Sequence, residues 1–486
     1  MMLLVLCSIF LIFLIWLVST VVNNMLLARE LRRRLPNFRS IPALPVLGVI
    51  LHYRRDRTPP GIFATFSGLH QRFGSDLISQ SFLNLPNLQV TSASVVEQVL
   101  QAKTIRKSII YEFMKPWLNE GLITSLGKKW AQRRKVVTPA FHFKILEEFL
   151  AIFNERSEAF VIKLQNHLGK GDFDIYEYIT LCTLDIISES AMGVKINAQD
   201  NPNSSYVKSV KEMSRIIFLR LFSITREYKI FFLTSKAAQR QKVALSELHG
   251  FTDSVIRERK SQLKNDHSQK VMQEKLNETD IYGKRKMTLL ELLLNISIEG
   301  HSLSDADIRE EVDTFMFAGH DTTTSCISFC AYHIAQNSLV QDKLVSEMVQ
   351  VIGKDFGNAV LKYSVLQELK YLDMTIKEVL RIHPSVPIIG RKSADDMVID
   401  GATIHAGVDI AILIYAMHNN PEVFPNPKKF DPERFNEENS SKRHPYSYIP
   451  FSAGARNCIG QKYAMLEVKA TLVKLLGSYR LLPCDP

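Results

Sequence analysis

The sequence predicts a mainly α-helical body with a minor β lobe, preceded by a membrane-spanning N-terminal helix. Three observations carry this. The side chains of residues 1–28 bear no charge, and most are Leu, Val, Ile or Phe, a run long enough to cross a bilayer. Two long stretches, from Ser304 to about Ala335 and from Ile459 onward, read as helix, the second with apolar positions recurring at three and four residues. Leu77–Ser92 reads instead as a β-hairpin, with Pro86-Asn87 at its turn.

Taken from the N-terminus, the apolar run is followed at once by Arg29, Arg32, Arg33, Arg34 and Arg39. Positive charge stays on the cytosolic side, so the rest of the chain is expected in the cytosol. A cleaved signal peptide would need a basic segment before the apolar run and a shorter run. Pro36, Pro42 and Pro45 then stiffen a hinge. The chain divides into an anchor at 1–28, a basic, Pro-rich hinge at 29–48 and a body at 49–486. Length alone suggests two or three domains, yet no flexible linker divides the body. Lys264–Lys286 is highly charged and poorly periodic and reads as a solvated loop. The sequon at Asn277 stays unglycosylated if the body is cytosolic. The six cysteines, Cys7, Cys182, Cys326, Cys330, Cys458 and Cys484, are scattered, which suits a reducing compartment. Cys326 and Cys330 lie one helical turn apart and read as core. The net charge of +10 is dispersed and accompanied by no nucleic-acid motif, so nucleic acid is not an expected partner.

The run Phe451-Ser-Ala-Gly454-Ala-Arg456-Asn-Cys458-Ile-Gly460 reads as a glycine-hinged loop ending at a helix. A helix N-terminus favours an anion and lowers a thiol's pKa. Gly454 and Gly460 allow backbone approaches that a Cβ blocks. Arg456 offers a fork of donors suited to a carboxylate. A thiolate in such a loop is a natural ligand for haem iron, whereas a lone cysteine is most often inert core. In the 304–335 helix, Ser304 is the expected N-cap, with Asp305, Asp307 and Glu310 in the first turns. Its centre, Ala318-Gly-His-Asp-Thr-Thr-Thr-Ser325, is made mostly of weak helix formers, a local inconsistency of the kind found at functional sites. Glu378 and Arg381 share a helix face at i and i+3.

These segments resemble the cytochrome P-450 monooxygenases. FSAGARNCIG is similar to that family's haem-binding loop, F-x-x-G-x-R-x-C-x-G, and implies Cys458 as the axial ligand of the haem iron, with Phe451, Gly454, Arg456 and Gly460 around it. Ala318-Gly-His-Asp321-Thr322 is similar to the oxygen-activation groove, which implies that Asp321 and Thr322 deliver protons. Trp130 and Arg134, in W-x-x-x-R, and Arg391 are implied propionate contacts. Glu378, Arg381 and Arg434, the last in Pro-Glu-Arg-Phe, are implied to form a buried structural network. The blocks occur in family order from about Pro45 to Tyr479. The resemblance implies the cytochrome P-450 fold for 49–486, with haem b as cofactor.

Glu311–Thr323, Trp130–Phe143 and Tyr448–Tyr463 resemble family 4, whose members include fatty-acid hydroxylases. Many of these carry at position 318 a Glu that esterifies a haem methyl. Ala318 cannot, so the haem is expected to be held non-covalently. Relatives continue past a point equivalent to Pro486 into a C-terminal β-hairpin, which is expected to be short or missing. The implied substrate is a small apolar molecule: a fatty acid, a related lipid or a foreign compound. The implied electron source is NADPH through a flavoprotein reductase, with cytochrome b5 a further candidate donor. Lys128, Lys129, Arg133, Lys135, Lys442, Arg443 and Lys462 are the expected docking cations. Endoplasmic-reticulum membrane is the implied location. Ile109, Ile110, Tyr111, Phe113 and Met114 are candidates for substrate contact, and Ile216–Phe222 and Ile230–Leu233 for membrane or core. The alternatives are a peroxide isomerase of the same fold, against which intact Asp321-Thr322 argues, and a non-catalytic haem-binding protein with a defective pocket.

Overall fold

A computed structural model describes residues 2–53, 58–102, 105–221, 232–274, 288–298 and 300–484. The helices that frame the site are α1 (Met2–Arg34), α2 (Pro59–Phe73), α3 (Gly127–Val137), α4 (Phe143–Leu164), α5 (Tyr176–Ser190), α6 (Ser205–Leu221), α7 (Lys236–Glu274), α8 (Asp305–Gln336), α9 (Lys370–Ile382) and α10 (Gln461–Ser478). The strands of the β lobe are β1 (Arg39–Ser40), β2 (Leu77–Gln80), β3 (Pro86–Val90), β4 (Ile105–Lys107), β5 (Ile389–Ser393), β6 (Met397–Ile399), β7 (Ala402–Ile404) and β8 (Asp409–Ile412), and Ser297–Ile298 pairs with His301–Ser302 in a separate short hairpin.

Within α1, residues Leu4–Arg34 are long and apolar enough to cross a membrane, and almost none of its most apolar 18-residue window is buried. The helix does not stop at the expected 28/29 boundary. Ala28, Leu31 and the following Leu35 are buried, and Leu31 and Leu35 join a cluster with Ile78, Leu88 and Ile404. Burial of those side chains and an Arg34 Nη1 hydrogen bond to the Thr403 carbonyl (3.0 Å) carry the helix through the basic residues. The helix thus runs through the basic residues to Arg34.

The β lobe is one six-stranded sheet in the order β1-β2-β3-β8-β5-β4, with a separate β6–β7 hairpin. β2 and β3 pair antiparallel, as expected, but the turn lies earlier than Pro86-Asn87. It is a 3-10 turn at Phe82–Asn84, and Pro86 already pairs with Gln80. Leu83 and Asn84 take positive φ, and the Asn84 side chain closes the turn. Its Oδ1 accepts from Val46 N (2.7 Å) and its Nδ2 donates to the Leu44 carbonyl (3.0 Å). Asn tolerates this conformation, and Pro is accepted at the first residue of a strand.

The helical body has one main core, formed largely by α4, α5, α8 and α10. Ser304 caps α8 as expected: Ser304 Oγ accepts from Asp307 N and the Asp307 carboxylate accepts from Ser304 N, both at 3.2 Å. Helix α7 corrects the loop expected at 264–286, since it runs on to Glu274. Lys264, Gln269, Lys270, Gln273 and Glu274 are good helix formers, and extending a nucleated helix costs little. Residues 275–287, with Asn277, lie outside the described residues. Ile216 is buried, Phe218 and Leu219 pack on a cluster holding Ile41 and Phe66, and 222–231 are not described.

Candidate haem site

The loop before α10 makes a 3-10 turn at Gly454–Arg456, and Cys458 N donates to the Phe451 carbonyl (2.9 Å). Gly454 has φ +71°, and a Cβ there would lie 2.4 Å from the Leu100 carbonyl oxygen. Only glycine fits. Gly460 differs from expectation. Its φ is −89°, and a Cβ would meet nothing nearer than 3.9 Å. What it contributes is an N–H bonded to the Cys458 thiol. Cys458 is reachable by solvent although protein crowds its thiol. Burial pushes its pKa up, against the Gly460 N–H and the Arg134 charge. The expected lowering at a helix N-terminus is thus outweighed by desolvation. A coordinated metal would remove the proton outright.

Helix α3 sits beside this loop. Arg134 grips Asn457 with both ends of its fork, Nη1 to the carbonyl (2.9 Å) and Nη2 to Oδ1 (2.8 Å). The Arg456 guanidinium lies over the Trp130 ring, 3.8 Å from its centroid, and Nη1 donates to the Ser125 carbonyl (2.9 Å). Arg391, on β5, is 2 % exposed. Its Nη1 donates to the Gly390 carbonyl (3.0 Å), and its Nε is buried without a partner. Lys107, on β4, stands directly across from Arg391 in the antiparallel pair. Sequence reading missed this residue, because nothing in Arg106-Lys107-Ser108 shows which strand it will face.

Arg134, Arg391, Arg456 and Lys107 have no carboxylate within 4.0 Å among the described residues. Burial and the neighbouring Arg391 push Arg456 down to about 10, and burial with Arg391 and Arg456 pushes Lys107 well below its usual range. Like charges opposite each other in a sheet are destabilising, and buried charges need partners. Such a cradle fits a group with at least two negative charges, as the propionates of haem have.

Helix α8 crosses the body with a half-buried stripe, Phe317, Ala318, Gly319, Asp321 and Thr322, in an otherwise buried centre. A Cβ at Gly319 would come 2.6 Å from Ile187, so glycine permits the close α5–α8 crossing. Thr322 Oγ1 donates to the Ala318 carbonyl (2.8 Å), and Ser385 Oγ donates to the Thr322 carbonyl (2.9 Å). Burial raises the Asp321 carboxyl, with His320 opposing. Thr323 Oγ1 donates to Glu467 Oε1 of α10 (3.2 Å), which ties the stripe to the helix that begins just after Cys458.

Glu378 and Arg381, on α9, are fully buried and paired by two hydrogen bonds, Nε–Oε2 at 2.7 Å and Nη2–Oε1 at 2.8 Å. Arg434 Nε comes to 3.4 Å from Glu378 Oε1, so the three are together. Arg381 Nη1 also donates to the His418 carbonyl (3.0 Å), and His418 Nε2 accepts from Ile449 N (2.9 Å), two residues before Phe451.

The expected docking surface needs correction. Arg133 is 3 % exposed and bonded to Asp307, and Lys129 is bonded to Glu310 at 2.6 Å. Arg133 is therefore not a solvated cation, and half-exposed Lys129 is already held by an ion pair. Lys128, Lys135, Lys442 and Lys462 are exposed.

A family model described as Cytochrome P450 matches residues 39–486. Cytochrome P450 4d2 of Drosophila melanogaster is 44 % identical over 447 residues, covering 91 % of this chain and 88 % of the relative. Cytochrome P450 4c3 of the same organism is 38 % identical, over 97 % of this chain and 89 % of the relative. Human cytochrome P450 4V2 is 44 % identical, over 81 % and 75 %.

Proposed function

Because the chain belongs to the cytochrome P450 family, we propose that this family 4-type monooxygenase is a membrane-anchored haem-thiolate enzyme hydroxylating a long-chain fatty acid or related apolar lipid. The observation that carries the reading is the set of unpaired cations around Cys458. Haem, once bound, supplies activation of O₂, so that one oxygen atom enters a C–H bond and the other leaves as water.

This chain's residues do the rest. Cys458 would hold the iron. Trp130, Arg134, Arg391, Arg456 and Lys107 would hold the propionates, and Phe451, Gly454 and Gly460 shape the loop that presents the thiolate. Buried Arg391, and Lys107 whose contact is the Tyr111 ring, would then exchange a charge without a carboxylate partner among the described residues for an ion pair, which favours the loaded state. Asp321, its carboxyl raised by burial, keeps a proton nearer neutrality than an ordinary aspartate. The Thr322 hydroxyl donates to Ala318 and retains two acceptor lone pairs, so on turning from Ala318 it can pass its proton forward while accepting one from the Asp321 side. Ala318 presents only a methyl group, so haem b is held without an ester bond. Glu378, Arg381 and Arg434 keep the segment before the loop in place.

Electrons come from NADPH through a flavoprotein reductase, with cytochrome b5 as a second donor, docking on Lys128, Lys135, Lys442 and Lys462. The N-terminal helix anchors the protein in the endoplasmic-reticulum membrane, with 49–486 in the cytosol. The first test is the reduced, carbon-monoxide difference spectrum of the full chain in detergent. A strongly red-shifted Soret band is expected. An unshifted band alone would remove the thiolate and the proposal with it. NADPH-dependent turnover with added reductase, compared with peroxide alone, then separates monooxygenase from isomerase.

A further inference from the structure

Helix α3 touches both halves of the site through two adjacent arginines that point in different directions. Arg134 holds Asn457, the residue before Cys458, by two hydrogen bonds. Arg133 turns the other way, to the first turns of α8. Its Nη2 meets Asp307 Oδ1 at 2.5 Å, its Nη1 donates to the Asp307 carbonyl (3.2 Å), and Glu311 Oε1 lies 3.7 Å from Nη1. Arg133 and Glu311 are buried, and the other Glu311 oxygen accepts from Leu122 N at 3.1 Å. One helix turn back, Lys129 adds a bond to Glu310. The chain just before α3 is pressed against the same turns, where a Cβ at Gly121 would lie 2.5 Å from the Glu310 carbonyl oxygen.

We propose that Arg133 is a positioning residue for the thiolate loop: it fixes α3 to the start of α8, and α3 in turn fixes Asn457 through Arg134. The inference rests on Cys458 being the axial ligand. The physical argument is one of constraint. Arg134 can set the place of Asn457 only if its own helix has a set place. Lys129 and Arg133 both make charged contacts from α3 to α8, the long helix that crosses the body. Of the two, Arg133 is buried and forked, so its geometry is defined, whereas Lys129 is a half-exposed point charge on a flexible stem. Trp130 and the stacked Arg456 ride on the same helix, so a tilt of α3 would move the propionate cradle together with the ligand loop.

The test uses the full chain loaded with haem, and its readouts are spectral and electrochemical. Arg133→Gln is expected to raise the fraction of unshifted ferrous–carbon-monoxide Soret band on the order of tenfold over wild type, the scale on which one charge-assisted hydrogen bond moves an equilibrium. It should also displace the ferric/ferrous potential. Asp307→Asn cuts the same link from the other side and should shift both readouts in the same direction. Arg133→Lys, which keeps the charge and loses the fork, should fall between. Arg156→Gln is the control. It breaks a similarly buried pair, Arg156–Glu189 at 2.7 Å between α4 and α5, away from α3. It should lower thermal stability and leave band and potential unchanged.

If Arg133→Gln behaves like Arg156→Gln, with stability lost and band and potential kept, Arg133 is merely structural and the proposal falls. If Arg133→Gln does not fold, a wild-type band and potential in both Arg133→Lys and Asp307→Asn overturn it. A wild-type protein with no red-shifted band refutes the Cys458 reading itself, and the inference falls with it.

Discussion

Asp313 should make this protein less stable as pH rises through neutrality. It sits on α8, facing α7, and is 1 % exposed. One carboxyl oxygen accepts from Thr252 Oγ1 at 2.6 Å, and the other is buried without a hydrogen bond, 3.8 Å from His249 Nε2. His249 Nε2 is itself 2.9 Å from the Trp117 carbonyl, to which it donates its hydrogen bond. Arg309 pulls the carboxyl down and Asp253 pushes it up, but burial dominates and raises it from 3.8 to about 8. The sign follows from linkage. Below pH ~4 both folded and unfolded chains carry the proton, and there is no penalty. As pH rises toward about 8 the unfolded chain releases it and the folded chain does not, so stability falls until the folded carboxyl also ionises. Some four pKa units at ~1.4 kcal/mol each give roughly 5–6 kcal/mol in all, of which about 2 kcal/mol falls between pH 6 and pH 8. Asp313→Asn keeps the acceptor for Thr252 and removes the titration. For a chain of 486 residues at ~2.1 cal/mol/K each, 1 kcal/mol moves the midpoint by about 1 °C. Thermal midpoints of wild type and Asp313→Asn should therefore separate by about 2 °C more at pH 8 than at pH 6. Taking the difference cancels the other buried acids, such as Glu311, raised to about 7. A separation that stays constant across that range would refute the burial argument.

Other outcomes follow from the same geometry. Glu378→Gln leaves the Arg381 guanidinium buried beside a neutral partner and should cost ~3–5 kcal/mol, read as loss of the folded holoprotein in denaturant titration. Gly319→Ala forces a methyl to 2.6 Å from Ile187. It should cost about 1–3 kcal/mol, and Ile187→Val in the same chain should recover part of that. Thr322→Val keeps size and removes the hydroxyl, so product formation should drop by ~10²- to 10⁴-fold while the carbon-monoxide spectrum is retained. Acid–acetone extraction should strip all haem from the polypeptide, because position 318 offers no carboxylate.

What could be read beforehand was whatever depends on residues close in sequence. The Ser304 cap, the α8 helix and the Glu378–Arg381 pair each need no more than four residues of context, and each is present in the structure. The hairpin was legible as two strands, but its turn was not. Pro86-Asn87 has the look of a turn, and the decision was made by the Asn84 side chain bonding to Leu44 and Val46, some forty residues away. Lys107 was invisible for the same reason, since its meaning comes from the strand it faces. The charged 264–274 segment was misjudged because a helix already formed over Lys236–Leu263 extends at little cost through residues that would not start one.

Arg133 and Arg134 show where such reading stops. They are the same residue type, adjacent, on one short helix, in a segment rich in lysine and arginine. Composition assigns both to a basic surface, and a spacing pattern rescues only Arg134. Roughly 100° of helical rotation then sends one side chain to Asn457 and the other to half-exposed Asp307 and buried Glu311 of α8. Asp307 also serves as the partner in the Ser304 capping box, so a single carboxylate both starts α8 and anchors α3, the helix bonded to Asn457. Loss of that carboxylate should therefore disturb the start of α8 and the ligand loop together, whereas loss of the Arg134 fork should disturb the loop alone.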